Sequence, residues 1–188
     1  MLAAALAERG HAVLHTREPG GAPGAERLRA VVLAGNGFTP LAETLIHVAA
    51  RTEHVAMTLR PALAAGIVVV CDRFADSTMA YQGYGQGADR TQIAALARLP
   101  GLVPDLTIML EASPATARVR RRARGLRADR YEAEDAAFHD RVAAGFRAIA
   151  EAEPGRCVRI DADGDVAATQ AAVLDAVLAR MARAHAGT

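Results

Sequence analysis

The stretch "GIVVVCDRFADSTMAYQG", residues 66–83, changes character halfway along. Its first half is apolar on successive residues, as suits a strand buried on both faces. A strand is therefore expected over Ile67–Asp72, starting just after Gly66. It ends in an acid–base pair, Asp72-Arg73, and Ser77, Thr78, Tyr81 and Gln82 follow within ten residues. In parallel α/β sheets ligands bind beyond the carboxyl ends of the strands, so polar chemistry belongs here. An aspartate there can hold a magnesium-bound water, and an arginine can grip a phosphate with two parallel hydrogen bonds. Gln82 can read the edge of a base. A strand-end salt bridge followed by a helix N-terminus accounts for the same letters.

Working outward, three more short apolar runs read as strands: His11–Thr16, Asp105–Glu111 and Cys157–Asp161. Between them lie segments with apolar residues three and four apart, the helical period. These are "LAETLIHVAARTEHVAMTLRPALAAG", "TQIAALARLPG", "SPATARVRRRARG", "EDAAFHDRVAAGFRAIAEAEPG" and "DVAATQAAVLDAVLARMARAHAG". Ser113 and Asp165 are placed to cap the helices that follow them. Strands alternating with helices predict an α/β fold: one domain over 1–188, with helices on both faces of a parallel sheet. Residues Leu2–Ala7 are helix formers that stop at Gly10, and they read as the back half of a helix.

Composition narrows the function. The chain is 52% hydrophobic, which excludes disorder, and it carries no apolar run near the about 20 residues that cross a bilayer. Glu8-Arg9 interrupt the opening too early for a signal peptide, so the cytoplasm is the expected compartment. Cys71 and Cys157 sit in apolar runs and are expected as buried, reduced thiols. A net charge of +1 argues against a general polyanion binder. All 22 basic residues are arginine, so no lysine is available for any task.

Two further stretches carry polar chemistry. In "TREPGG", residues 16–21, paired glycines and a proline give a stiff loop that can press on a flat ligand beside Arg17 or Glu18. An ordinary strand-to-helix turn also explains it. "ARVRRRARGLRADR" packs seven arginines into residues 118–130, and Arg120 and Arg124 share a helix face at i, i+4. Such a cluster suits a lid that closes on nucleotide phosphates, where developing charge needs stabilising. A solvated helix face or a nucleic-acid patch remains open, although no aromatic interleaves before Tyr131.

Taken in order, "TREPGG", "LIHVAAR", "CDRFADSTMAYQG" and the arginine-rich segment ending in "DRYEAED" resemble the thymidylate kinase family across nearly the whole chain. The resemblance implies a P-loop kinase-like parallel sheet and phosphoryl transfer from ATP to dTMP, giving dTDP. It implies Mg2+ with ATP as co-substrate, a homodimer, and neither a nucleic-acid nor a membrane partner. Arg73 and Arg51 match the pair that grips the dTMP phosphate. Gln82 and Thr78 match the groups that read thymine, with Ser77 and Tyr81 close by. Glu18 and Pro19 match the loop beside the nucleoside, and Asp72 the strand-end acid near magnesium. Arg120, Arg124 and Arg130 match lid arginines on the ATP phosphates, in a lid spanning about 118–131.

Two departures stand out. His47 occupies the place of a phenylalanine that stacks on thymine in the family. The family's opening strand, central in its sheet, and its G-x-x-x-x-G-K-[ST] phosphate loop have no counterpart here. The expectation is a start codon assigned too late, with that loop encoded upstream of Met1. A non-catalytic remnant that binds dTMP or a partner is the alternative.

Overall fold

The computed structural model describes residues 1–34, 37–124, 130–131 and 133–186. In chain order the elements are α1 (Leu2–Ala7), β1 (Val13–Arg17), α2 (Pro23–Ala34), α3 (Pro40–His54) and α4 (Arg60–Ala64). Next come β2 (Val68–Asp72), α5 (Ala75–Thr78), α6 (Arg90–Ala97), β3 (Thr107–Glu111) and α7 (Pro114–Arg124). The chain continues through α8 (Ala136–Ala152), β4 (Cys157–Asp161) and α9 (Val166–Ala186). The α/β alternation is as expected, and the strands fall within a residue or two of their expected bounds. The helix α2 was not anticipated, because "PGAERLRAVVLA" opens on Pro-Gly and reads as a continuation of the loop before it.

Four strands pair in parallel, but as two ladders. β1 and β2 run together from Val13 opposite Val68 to Arg17 opposite Asp72. β3 and β4 run from Thr107 opposite Cys157 to Glu111 opposite Asp161. Among the described residues no strand joins β2 to β3, so the single expected sheet is divided. A cavity of about 1120 Å³ separates the two ladders, lined by Val69 and Val70 on one side and Ile108 and Leu110 on the other. Leu6 of α1 and Val173 of α9 reach the same space. Across it Arg156, just before β4, holds Asp76 of α5 through two 2.7 Å hydrogen bonds.

Local chemistry explains the helix ends that matter. Thr39 caps α3, with Pro40 in the first turn where its missing N–H costs nothing. Pro61 cannot donate to the carbonyl four residues back, and the ladder widens into a π-turn over Val55–Leu59 before α4. A second π-segment, Met79–Gly85, extends α5 and carries Tyr81 and Gln82. Both caps anticipated from sequence form: Ser113 Oγ accepts from Thr116 N, and Asp165 from Ala167 N and Ala168 N. Cys157 is buried, whereas Cys71 is only half-buried, and both thiols are free.

Candidate active site

The carboxyl ends of β1 and β2 lie side by side, and Glu18 N donates to the Asp72 carbonyl just beyond them. This register brings "REPGG" and "DRF" together, as their matching strand-end positions imply. α3 then lays a polar stripe along this edge. Glu43, His47, Arg51 and His54 recur at helical spacing, and all four are buried.

At one end of the stripe Glu18 holds two partners. Arg51 Nε donates to its Oε2 at 2.7 Å, and His54 Nδ1 donates to its Oε1 at 3.1 Å. His54 Nε2 meets the Thr16 hydroxyl at 2.9 Å. Gly21, at φ +82°, admits no side chain, because a Cβ there would stand 2.3 Å from that imidazole nitrogen. Arg51 Nη2 donates to Thr78 Oγ1 at 3.0 Å, while Nη1 is buried with no partner. A buried guanidinium with an unanswered donor pair is prepared for an anion.

Arg73 follows Asp72, whose carbonyl accepts from Glu18 N, and is exposed with φ of 68°. A non-glycine residue there holds about 1–3 kcal/mol of strain, which gathers at functional sites. Its guanidinium lies 5.0 Å from the centre of the Tyr81 ring. Tyr81 in turn packs edge-on against Tyr131 and Phe138. Asp72 is exposed at the strand end. Ser77 is half-buried beside the buried Thr78, and the Pro19 carbonyl accepts from Arg29 at 2.8 Å. Burial, with Glu18 and Asp72 nearby, pushes the Cys71 thiol up to about 12.

At the other end sits Glu43, fully buried. Its Oε1 accepts from Gln82 Nε2 and Gln86 Nε2, each at 2.8 Å, and from the Tyr131 hydroxyl at 2.7 Å. Arg130 donates to its Oε2. Burial alone would raise this carboxyl's pKa, but the four hydrogen bonds together leave it lowered. His47 joins through Nε2, 2.9 Å from the Tyr131 oxygen. The Tyr131 proton goes to Glu43, so His47 is the donor. Burial, then the Arg51 charge, lowers the His47 pKa to about 4 and leaves its ring neutral at pH 7. Burial and Glu43 hold the Tyr131 phenol protonated.

The anticipated residues thus divide. Glu18, Arg51, Arg73 and Thr78 form one corner, and His47, Gln82 and Tyr131 another, with Tyr81 between. The lid arginines do not converge: Arg130 is held by Glu43, while Arg120 donates to the Gly164 carbonyl at 2.9 Å on the far ladder. The Arg124 side chain lies outside the described residues, as does 125–129 of the expected lid. Glu43 and His54 were missed. Their signal was present, since polar residues at 43, 47, 51 and 54 mark a helix face as firmly as apolar ones would.

The fold is that of an α/β protein with arginines at the carboxyl ends of its parallel strands. The thymidylate kinase family model matches residues 1–173. A thymidylate kinase of Gluconobacter oxydans is 50% identical over 182 residues, covering 94% of this chain and 85% of the relative. One from Synechococcus sp. (strain JA-2-3B'a(2-13)) is 48% identical, covering 100% and 90%. The crystal structure of thymidylate kinase from Ehrlichia chaffeensis matches with a TM-score of 0.75 at 33% identity, over 94% of this chain and 87% of that one. The chain belongs to the thymidylate kinase family, phosphotransferases that act on dTMP with ATP. That membership favours the enzyme over the non-catalytic remnant.

Proposed function

We propose that dTMP lies along the polar stripe of α3, its phosphate at the Arg51–Arg73 corner and its base at the Gln82–His47 corner. The observation that carries this reading is the buried, unpartnered Arg51 Nη1, held by Glu18 at the same strand edge that carries the strained and exposed Arg73. Glu18 fixes Arg51 by a charge-assisted hydrogen bond, so its fork is oriented before a phosphate arrives. His47 and Tyr81 wall the base, and Thr78 and Gln82 supply hydrogen bonds. Pro19 and Ser77 border the same cleft. ATP approaches from the arginine-rich side, where Arg120, Arg124 and Arg130 stabilise charge on the phosphates after a closure that gathers them.

The donor set suits Mg2+ brought with ATP. Among the described residues no cluster of three acidic, histidine or cysteine groups forms a cage, and Asp72 offers one exposed carboxylate. Mg2+ keeps its waters and takes one or two carboxylates plus substrate phosphates, so Asp72 would hold it through water. Bound there, the ion neutralises phosphate charge.

A cytoplasmic homodimer completes the proposal. The free cysteines suit a reducing compartment, and no described helix is long and apolar enough to cross a membrane. Leu41 and Leu45, exposed on one face of α3, offer an apolar patch to a second copy. Sedimentation at twice the chain mass is expected, and a monomer at micromolar concentration removes the dimer.

Calorimetry with dTMP tests the binding site. Arg73→Ala is expected to weaken dTMP at least about thirtyfold, as loss of a bidentate charged contact requires. The same titration with thymidine, which lacks the phosphate, should change little. Equal dTMP affinity in wild type and variant overturns the phosphate corner. ADP release dependent on dTMP reports turnover.

A further inference from the structure

Glu43 accepts hydrogen bonds from four side chains, and these come from two distant parts of the chain. Gln82 lies in the π-segment after β2 and Gln86 caps its end, while Tyr131 and Arg130 close the arginine-rich region. Every one of these groups donates. A carboxylate accepts only, so it dictates which way each neighbour turns.

The consequence for Gln82 is specific. A glutamine amide has two nearly isosteric orientations, separated only by which partners its oxygen and nitrogen meet. With Nε2 drawn to Glu43 Oε1 at 2.8 Å and toward the Tyr131 oxygen at 3.4 Å, reversal would set Oε1 against a carboxylate. None of Gln82's hydrogen bonds with the described residues uses Oε1. The amide therefore keeps an acceptor for whatever lies beside it. Thymine and uracil carry a proton on N3 that can meet such an acceptor. Cytosine presents a lone pair at N3, which an acceptor repels.

We propose that Glu43 is a positioning residue that sets base specificity: it locks the Gln82 amide so that Oε1 faces the base and selects pyrimidines with an N3–H. Gln86 supports the arrangement by donating to the same oxygen, while its own buried Oε1 has no partner. Arg130 balances the buried charge on Oε2. The proposal rests on Gln82 lying beside the base.

Calorimetry with dTMP, dUMP and dCMP on the full chain tests it. Wild type is expected to bind dTMP and dUMP well ahead of dCMP. Glu43→Leu, which removes the acceptor, should lower the dTMP-over-dCMP preference about tenfold, whereas Glu43→Gln, which keeps one acceptor oxygen, should stay within about threefold. In a Gln82→Ala background, Glu43→Leu should leave the preference where it is. A purely structural role would weaken all three nucleotides together and add its effect to Gln82→Ala, and either result overturns the proposal. Should Glu43→Leu lose its cooperative melt, Tyr131→Phe provides the same test. It removes one hydroxyl bonded to both Glu43 and Gln82, and about a threefold loss of preference is expected. An unchanged preference overturns the proposal. If wild type binds no dTMP, the reading of the pocket itself falls. If it binds dTMP selectively and Glu43→Leu stays as selective, only the role of Glu43 falls.

Discussion

Glu18, held against α3, and Glu43, carried on it, are both buried carboxylates, yet the corners they organise are opposite in design. Around Glu18 the donors outnumber what the protein itself accepts: Arg51 keeps Nη1 unanswered, and Arg73 stands exposed at the neighbouring strand end. Around Glu43 the carboxylate is saturated, with three donors on one oxygen and a guanidinium on the other. The first corner is unfinished until an anion enters. The second is closed and fixes the direction of neutral groups. Under the proposed binding mode a phosphate needs charge and a base needs orientation, and one face of α3 would supply both.

The largest break in this comparison comes from Arg51→Ala. It strips Glu18 of its buried ion-pair partner and leaves the carboxylate with His54 alone. Removing one partner of a buried pair costs about 3–5 kcal/mol, because the remaining charge stays out of water. Urea unfolding should show that loss together with abolished dTMP binding. Glu18→Gln with Arg51→Ala should recover part of the stability but none of the binding. Full stability in Arg51→Ala would mean the corner is less dry than its geometry indicates.

The two corners were also unequally legible in the sequence. Part of the Glu18 corner stood out because Glu18, Asp72 and Arg73 sit at the ends of apolar runs, and strand ends are where parallel sheets place chemistry. Glu18, Asp72 and Arg73 needed no tertiary knowledge to be noticed. The fold class followed from the same alternation. Division of the sheet into two ladders did not, since a run such as Thr107–Glu111 carries no mark of which neighbour it pairs with. Glu43 was hidden for a different reason. An acidic residue in a first helical turn normally serves the helix dipole and faces water. Here it is drawn inward by Gln82, Gln86 and Tyr131, from segments about 40 and 90 residues away. His47 takes the place of a stacking phenylalanine, and its hydrogen bond to Tyr131 depends on the same long-range packing.

Burial of the His47 ring gives the second prediction, an acid sensitivity at the base corner. The His47 pKa is about 4 in the folded chain against an ordinary 6.5. Above pH 6.5 both states are neutral and pH has no leverage. As pH falls below 6.5 the unfolded chain takes up a proton that the folded chain refuses, so stability declines until about pH 4. The decline reaches roughly 2 kcal/mol at pH 5. His47→Phe lacks it, so its stability relative to wild type should rise by about that amount between pH 7.5 and 5. Parallel pH profiles for the two proteins would show that His47 titrates normally, and would place its ring in water.

The smallest expected effect sharpens the comparison at the other corner, where a strained backbone adjoins the buried ion pair. Arg73 is the non-glycine residue with positive φ among those described. Arg73→Gly and Arg73→Ala both discard the guanidinium and its contact with the Tyr81 ring, so they differ only in the backbone. Glycine adopts φ near +68° without a steric penalty and alanine does not. Arg73→Gly should therefore be the more stable of the two by about 1 kcal/mol, while both lose dTMP affinity to the same extent. Equal stability would show that the turn relaxes once the arginine is gone. The strained backbone would then be a response to the side chain's position, and not a scaffold that aims it at the phosphate.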